Sequence, residues 1–238
     1  MKNPWPLLLA PVPLCAALAA CAPAPAGGTA TAVPTDTVLP PFEAEIRAFE
    51  AADSSGMPPE GAVLFIGSSS LRLWQTLTAD MVPLPVVNRG FGGSTMPDLL
   101  RYADRILFPY RPRCIVLYEG DNDITHEAIT PDSVLANLRS YHQAVRQRLP
   151  GSHTWVLSIK PSPARRHLAD KARQANDLMQ AYCDAVPELT FIDVGAVMRD
   201  AGGNLRGDIF LQDSLHLGPS GYALWTDLLR PLLLEHCE

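Results

Sequence analysis

Five short apolar runs alternate along this chain with stretches of helical period, and that alternation constrains the fold more than any other feature. The runs are Ala62–Ile66, Pro85–Asn88, Cys114–Tyr118, Trp155–Ile159 and Leu189–Val194. They have strand length and little polar alternation, as strands buried on both faces do. Helical stretches are expected over Ser70–Leu77, Pro97–Ile106, Asp132–Leu149, Arg165–Ala185 and Pro219–His236, with an extra helix over 42–52 before the first strand. Leu99, Leu100, Ala103 and Leu107 share one helical face, and Thr130-Pro131-Asp132 is a helix start signal. Pro231 is expected to kink the last helix. Strands alternating with helices imply an α/β fold: a three-layer α/β/α sandwich around a five-stranded parallel sheet. In such sheets the chemistry gathers beyond the carboxyl ends of the strands.

The polar residues that need explaining do sit just after strands. The first strand leads into Gly67-Ser68-Ser69-Ser70. A serine there is a nucleophile only if a base lies within hydrogen-bond reach; otherwise these serines simply cap a helix. The second strand leads into Asn88-Arg89-Gly90-Phe91-Gly92-Gly93-Ser94, either a tight turn or a loop whose backbone N–H groups face a ligand. The third leads into Glu119-Gly120-Asp121-Asn122-Asp123, where Asn122 either forms an Asx turn or aims its NH₂ at a developing oxyanion. Near the end stands Asp213-Ser214-Leu215-His216. Three-residue spacing lets the carboxylate reach Nδ1 of the imidazole, fix its tautomer and stabilise the imidazolium; the plainer alternative is a capping Asp beside a surface His.

Taken together the four blocks resemble the SGNH/GDSL hydrolases, over about residues 60–235. Ile66-Gly67-Ser68-Ser69 is similar to their Gly-Asp-Ser block, Gly93 to their second-block glycine, Gly120-Asp121-Asn122-Asp123 to their Gly-x-Asn-Asp block, and Asp213-Ser214-Leu215-His216 to their Asp-x-x-His block. The resemblance implies a flavodoxin-like SGNH fold and a serine esterase acting on carboxylic (acyl or acetyl) esters. It implies Ser69 as nucleophile, His216 as base then acid, and Asp213 as the group orienting it. It also implies an oxyanion hole made by the N–H of Ser69, the N–H of Gly93 and the side chain of Asn122. No cofactor and no metal are implied. Ser68 stands where the family usually has Asp, and three consecutive serines blur the register. Ser69 is preferred because it lies two residues after Gly67 and sets Trp74 where a Trp often follows the motif. With Lys160-Pro161-Ser162-Pro163, the Gly-Ser-Ser-Ser block resembles a branch in which that Asp is commonly replaced. The same residues would serve an envelope acyltransferase or a lysophospholipase, and a fold kept without turnover would be a binding lipoprotein. A small-molecule ester is the expected partner, and the protein is expected to be a monomer.

Residues 1–20 read as an export signal. Lys2 supplies the positive charge, and Leu7–Ala20 is an apolar stretch of 14 residues, short of the roughly 20 that span a bilayer. Leu18-Ala19-Ala20-Cys21 resembles the lipobox of bacterial lipoproteins, which implies acylation of Cys21 and a membrane anchor. Nine of the 23 prolines fall within the first 41 residues, so 21–41 reads as a disordered tether and 42–238 as the domain. No acidic residue directly follows Cys21, which by the same resemblance favours the outer membrane, facing the periplasm of a Gram-negative cell.

Removing Lys2 with the signal leaves 18 basic against 25 acidic residues, a charge of −7, which disfavours nucleic acid as a partner. No Cys or His pair has ligand spacing for a metal. Beyond the export segment three cysteines remain: Cys114 reads as a buried thiol, and Cys183 and Cys237, near the ends of two helices, could pair. Trp155 and Trp225 fit the core. His126, His142, His153, His167 and His236 read as surface or structural. Arg72 and Arg89, each close to a motif, would bind an anionic substrate group or, preferably, pair with Asp121 or Asp123.

Overall fold

The computed structural model describes residues 39–237. The expected signal segment, Cys21 and the tether as far as residue 38 lie outside the described residues.

The sheet has five parallel strands: β1 (Val63–Gly67), β2 (Val86–Gly90), β3 (Cys114–Tyr118), β4 (His153–Leu157) and β5 (Leu189–Ile192). Their spatial order is β2-β1-β3-β4-β5. The chain therefore steps one way from β1 to β2 and then back across to β3, which makes the crevice between the ends of β1 and β3 the topological switch point where such sheets bind ligands.

Seven α-helices are described: α1 (Glu43–Ser55), α2 (Ser69–Arg72), α3 (Leu77–Asp80), α4 (Met96–Ile106), α5 (Pro131–Arg148), α6 (Ala169–Asp184) and α7 (Pro219–Cys237). The start signal before α5 acts as expected: Thr130 Oγ1 accepts the N–H of Ser133 at 3.2 Å, with Pro131 in the first turn. The single helix expected over 70–77 is instead the two short turns α2 and α3. Trp74 Nε1 and Thr76 Oγ1 both donate to Asp80, at 2.7 and 2.6 Å, and gather the second turn around that carboxylate. β4 ends at Leu157 rather than Ile159, because the carboxamide of Asn176 takes both the N–H and the C=O of Ile159. α7 runs through Pro231 to Cys237.

Every residue of β1 and β3 is buried, yet their side chains still sort by parity into two cores. Leu64, Ile66, Ile115 and Leu117 pack with α1, α4, α5 and α6. Val63, Phe65, Cys114, Val116 and Tyr118 pack with Trp74, Leu77 and α7. Trp155 and Trp225 also lie in this second core.

This sorting corrects the cysteine pairing. Cys183 on α6 faces the first core, whereas Cys237 on α7 faces the second, so the sheet lies between them. Cys237 bonds instead to Cys114, with a Cα–Cα distance of 5.9 Å. Cys183 is a buried free thiol, which burial, followed by the nearby charge of Asp184, pushes up to about 12. The bridge spans 123 residues, and closing so long a loop restricts the unfolded chain by about 3–5 kcal/mol in the chain-entropy account.

Candidate active site

β1 ends in Gly67, at φ +145°, and a Cβ there would lie 2.0 Å from the carbonyl oxygen of Tyr118. Only glycine lets the chain leave the sheet so close to β3. It then turns through Ser68 into α2. Ser68 and Ser70 are each 1% exposed, and Ser68 Oγ is buried with no hydrogen-bond partner among the described residues. Ser69 alone of the three is partly exposed, and it borders the cleft over the switch point.

Across 147 residues of chain, His216 Nε2 lies 2.9 Å from Ser69 Oγ, and His216 Nδ1 lies 2.6 Å from Asp213 Oδ2. The other Asp213 oxygen accepts the N–H groups of Leu215 and His216, each at 2.9 Å. The short loop thus wraps its own carboxylate, with Ser214 at φ +56° in the left-handed region and the N–H of Leu211 donating to the carbonyl of His216 at 2.8 Å. Partial burial raises the Asp213 carboxyl. The hydrogen bonds from the His216 ring and from the two backbone N–H groups outweigh that and hold it at about 2.

The cleft, about 560 Å³, is bordered by Ser69, Gly92, Gly93, Asn122, Leu215, His216, Glu45 and Arg72. Ser69 opens α2, so its N–H has no acceptor within the helix. Gly93 sits at φ +83°, with open space where a side chain would stand. Asn122 donates one Nδ2 proton to the carbonyl oxygen of Ser94, 2.8 Å away. The three groups proposed for an oxyanion hole therefore border the same cleft as the Ser69–His216 pair.

The charged residues on either side of Gly120 and Asn122 are buried. Asp121 accepts Lys160 Nζ at 3.1 Å, the Tyr118 hydroxyl at 3.0 Å, and Arg165 Nη1. Burial alone would raise the Asp121 carboxyl, but the charges of Lys160 and Arg165 outweigh it and hold it below the usual carboxylate range. Glu119 is the opposite case. Its Oε2 has no hydrogen-bond partner among the described residues, and burial pushes the carboxyl well above that range. Ser94 Oγ lies 2.7 Å from Glu119 Oε1 and 3.1 Å from the Phe91 carbonyl oxygen. The Ser94 hydroxyl donates to Glu119, and burial outweighs that hydrogen bond in setting the direction of the carboxyl. Asp123 accepts the N–H of Met96 and the amide of Asn137, and burial raises it too.

The expected arginine pairings are not found. Arg89 pairs with Asp53 and Tyr110, and Arg72 lies 3.7 Å from Glu45. Both carboxylates belong to α1, which packs against α4 and brings them to these arginines from a distant part of the chain. Glu45 also accepts the N–H of Gly92 at 3.1 Å. No sequence signal marked Glu45, because its partners are 27 and 47 positions away. None of the other five histidines borders the cleft; His142 meets Tyr182, His153 meets Thr190, and His236 packs on Trp155. Among the described residues no group of three or more His, Cys, Asp or Glu could hold a metal ion, and no helix is long and apolar enough to cross a membrane.

Comparison with known proteins gives this geometry a context. Residues 57–224 match the GDSL-like lipase/acylhydrolase family. The platelet-activating factor acetylhydrolase IB subunit alpha1 of Rattus norvegicus is 31% identical over 193 residues, which span 77% of this chain and 79% of the rat protein. Among solved structures, a GDSL-like lipase from Bacteroides thetaiotaomicron superposes with a TM-score of 0.66 at 20% identity, over 81% of this chain and 98% of its own. An acetylxylan esterase from Geobacillus stearothermophilus, in a catalytic mutant form, superposes with a TM-score of 0.58 at 14% identity, over 75% and 94%. The last two likenesses concern the fold.

Proposed function

The chain belongs to the GDSL-like lipase/acylhydrolase family, and from that premise we propose that it is a serine esterase hydrolysing small acyl esters, acetyl esters first among them. The observation that carries this reading is the unbroken series of contacts from Asp213 through His216 to Ser69, at 2.6 and 2.9 Å.

In this reading Ser69 Oγ attacks the ester carbonyl carbon while its proton passes to His216 Nε2. Asp213, held ionised, faces the imidazolium through Nδ1. The negative charge that develops on the carbonyl oxygen is met by the N–H of Ser69, the N–H of Gly93 and the side chain of Asn122. His216 then returns the proton to the departing alcohol. The acyl–Ser69 ester is cleaved by a water that gives its proton to the same nitrogen, which releases the acid and restores the hydroxyl.

The preference for short acyl groups rests on the cleft lining, in which Leu215 is the one large apolar residue, and on the rat relative, whose name states an acetylhydrolase. Acetylated carbohydrates are the natural candidates for the substrate, with lysophospholipids the long-acyl alternative. We further propose that Cys21 is acylated and that the domain works on a tether at the outer membrane, facing the periplasm; the Leu18-Ala19-Ala20-Cys21 sequence supports this.

A panel of nitrophenyl esters of increasing acyl length tests the assignment. Acetate and butyrate are expected to turn over fastest, with Ser69→Ala lowering kcat by about 10⁴-fold or more. Turnover that survives Ser69→Ala would remove Ser69 from its role.

A further inference from the structure

The stretch after β4, Lys160 to Arg165, takes no part in the relay just described; its two cations line a separate cavity of about 430 Å³, and Arg165 reaches from there to Asn122, which borders the cleft. Lys160 is fully buried and Arg165 is 17% exposed; both are held by Asp121, which also accepts from Tyr118. That carboxylate is saturated with donors, so it fixes where the Arg165 guanidinium sits. From there Arg165 Nη1 also donates to the carbonyl oxygen of Asp121, and Nη2 donates to Asn122 Oδ1 at 2.8 Å.

This last contact decides which way the Asn122 carboxamide points. A guanidinium can only donate, so the atom facing it must be the oxygen. The Ser94 carbonyl can only accept, so the atom facing it, 2.8 Å away, must be the nitrogen. A flipped amide would set N–H against N–H on one side and oxygen against oxygen on the other. Of the two Nδ2 protons one is taken by Ser94, and the second is the one left for the cleft that Asn122 borders. A cation on the amide oxygen also draws charge from the nitrogen and makes that remaining N–H a stronger donor.

We propose that Arg165 is a positioning residue of the oxyanion site, anchored on Asp121 and acting through Asn122 to hold one amide N–H toward the reacting carbonyl oxygen. The inference rests on the hydrolase reading above. It gives the 160–165 stretch a role in the reaction. The same stretch also touches the base loop, since the N–H of Ala164 donates to the carbonyl of Ser214 at 3.1 Å. A lysine could not take over, because a single ammonium lacks the planar fork that spans the Asp121 and Asn122 oxygens together.

A double-mutant cycle on the full chain tests this with an acetyl ester. Asn122→Ala is expected to lower kcat by about 10²–10³-fold. Arg165→Met is expected to lower kcat by about 10–100-fold with KM changed less than about threefold, the pattern of a contact made only in the transition state. In the double variant, Arg165→Met is expected to add nothing to Asn122→Ala. If the two losses multiply, or if Arg165→Met keeps kcat within about threefold of the parent, Arg165 does not act through Asn122 and the proposal is overturned. Should Arg165→Met fail to fold, Arg165→Lys, which keeps a charge beside Asp121, carries the same cycle with the same criteria. The two readings fail differently. Turnover by Ser69→Ala breaks the hydrolase assignment, whereas inactive Ser69→Ala and impaired Asn122→Ala beside unimpaired Arg165→Met break only this one.

Discussion

Two parts of the site hold a reactive group in place by opposite means. The base loop, Asp213 to His216, is short and half open to solvent: the Asp213 side chain is 47% exposed and that of His216 is 22% exposed. It orients its imidazole mainly through Asp213, three residues away, whose carboxylate also takes the N–H groups of Leu215 and His216. The oxyanion floor is buried, and its contacts between Asp121, Asn122, Lys160 and Arg165 bridge about 40 positions of chain. The difference follows from what each group must do. A base that gains and loses a proton needs a mobile charge near water, whereas a donor for a transient oxyanion works best when it cannot reorient. α7 and β3 carry the two parts. α7 begins just after His216, and β3 ends just before Glu119. The Cys114–Cys237 bridge joins the far ends of these same two elements.

The comparison can be broken most severely at the base loop. Asp213→Asn removes the anion that fixes the His216 tautomer, and kcat is expected to fall by about 10²–10⁴-fold. Asn keeps an oxygen for the two backbone N–H groups and the lost charge is half exposed, so stability should fall by no more than about 1 kcal/mol. Steady-state rates and a urea titration of the same preparation measure both. Lost stability with retained kcat would show that the loop is a structural clasp and reverse the contrast drawn here.

A smaller effect, of the opposite character, is expected in the floor. The Glu119 carboxyl is raised above its ordinary value of 4.5 in the folded protein. The folded state therefore binds this proton more tightly than the unfolded chain. The associated stability is fully present below about 4.5 and declines as pH rises toward the folded value. Glu119→Gln, which cannot ionise, should match the parent in urea titrations at acid pH and exceed it at pH 8. The gap is on the order of 1.4 kcal/mol for each unit by which the carboxyl is raised. An equal effect of the substitution at both pH values would mean that the Glu119 carboxyl is not raised in the folded protein.

The same contrast explains what could be read before the fold was known. The strand runs, the α/β/α layering and the four motif blocks are local patterns, and local patterns survive in one dimension. The Asp213-to-His216 contact belongs with them, since its partners are three residues apart. Arg165 and Glu45 could not be found this way, because nothing near either of them in sequence names a partner. Arg89 was matched with the wrong carboxylate for the same reason: α1 brings Asp53 across 36 positions, closer than either aspartate of the nearby motif. The cysteines failed on parity. Pairing Cys183 with Cys237 requires both on one face of the sheet, and which face each helix covers is settled by crossover order, not by spacing. Which of Ser68, Ser69 and Ser70 borders the cleft is visible only in the fold, where Ser68 and Ser70 are buried.

The central claim is that Ser69, alone among three adjacent serines, is the activated nucleophile. Treating the full chain with a fluorophosphonate, which bonds its phosphorus to an activated serine oxygen and expels fluoride, tests it directly when peptides are mapped by mass spectrometry. The account predicts a single adduct on Ser69 that forms at least about 100-fold more slowly in His216→Ala. An adduct on Ser68 or Ser70, or equal labelling with and without the imidazole, would contradict it.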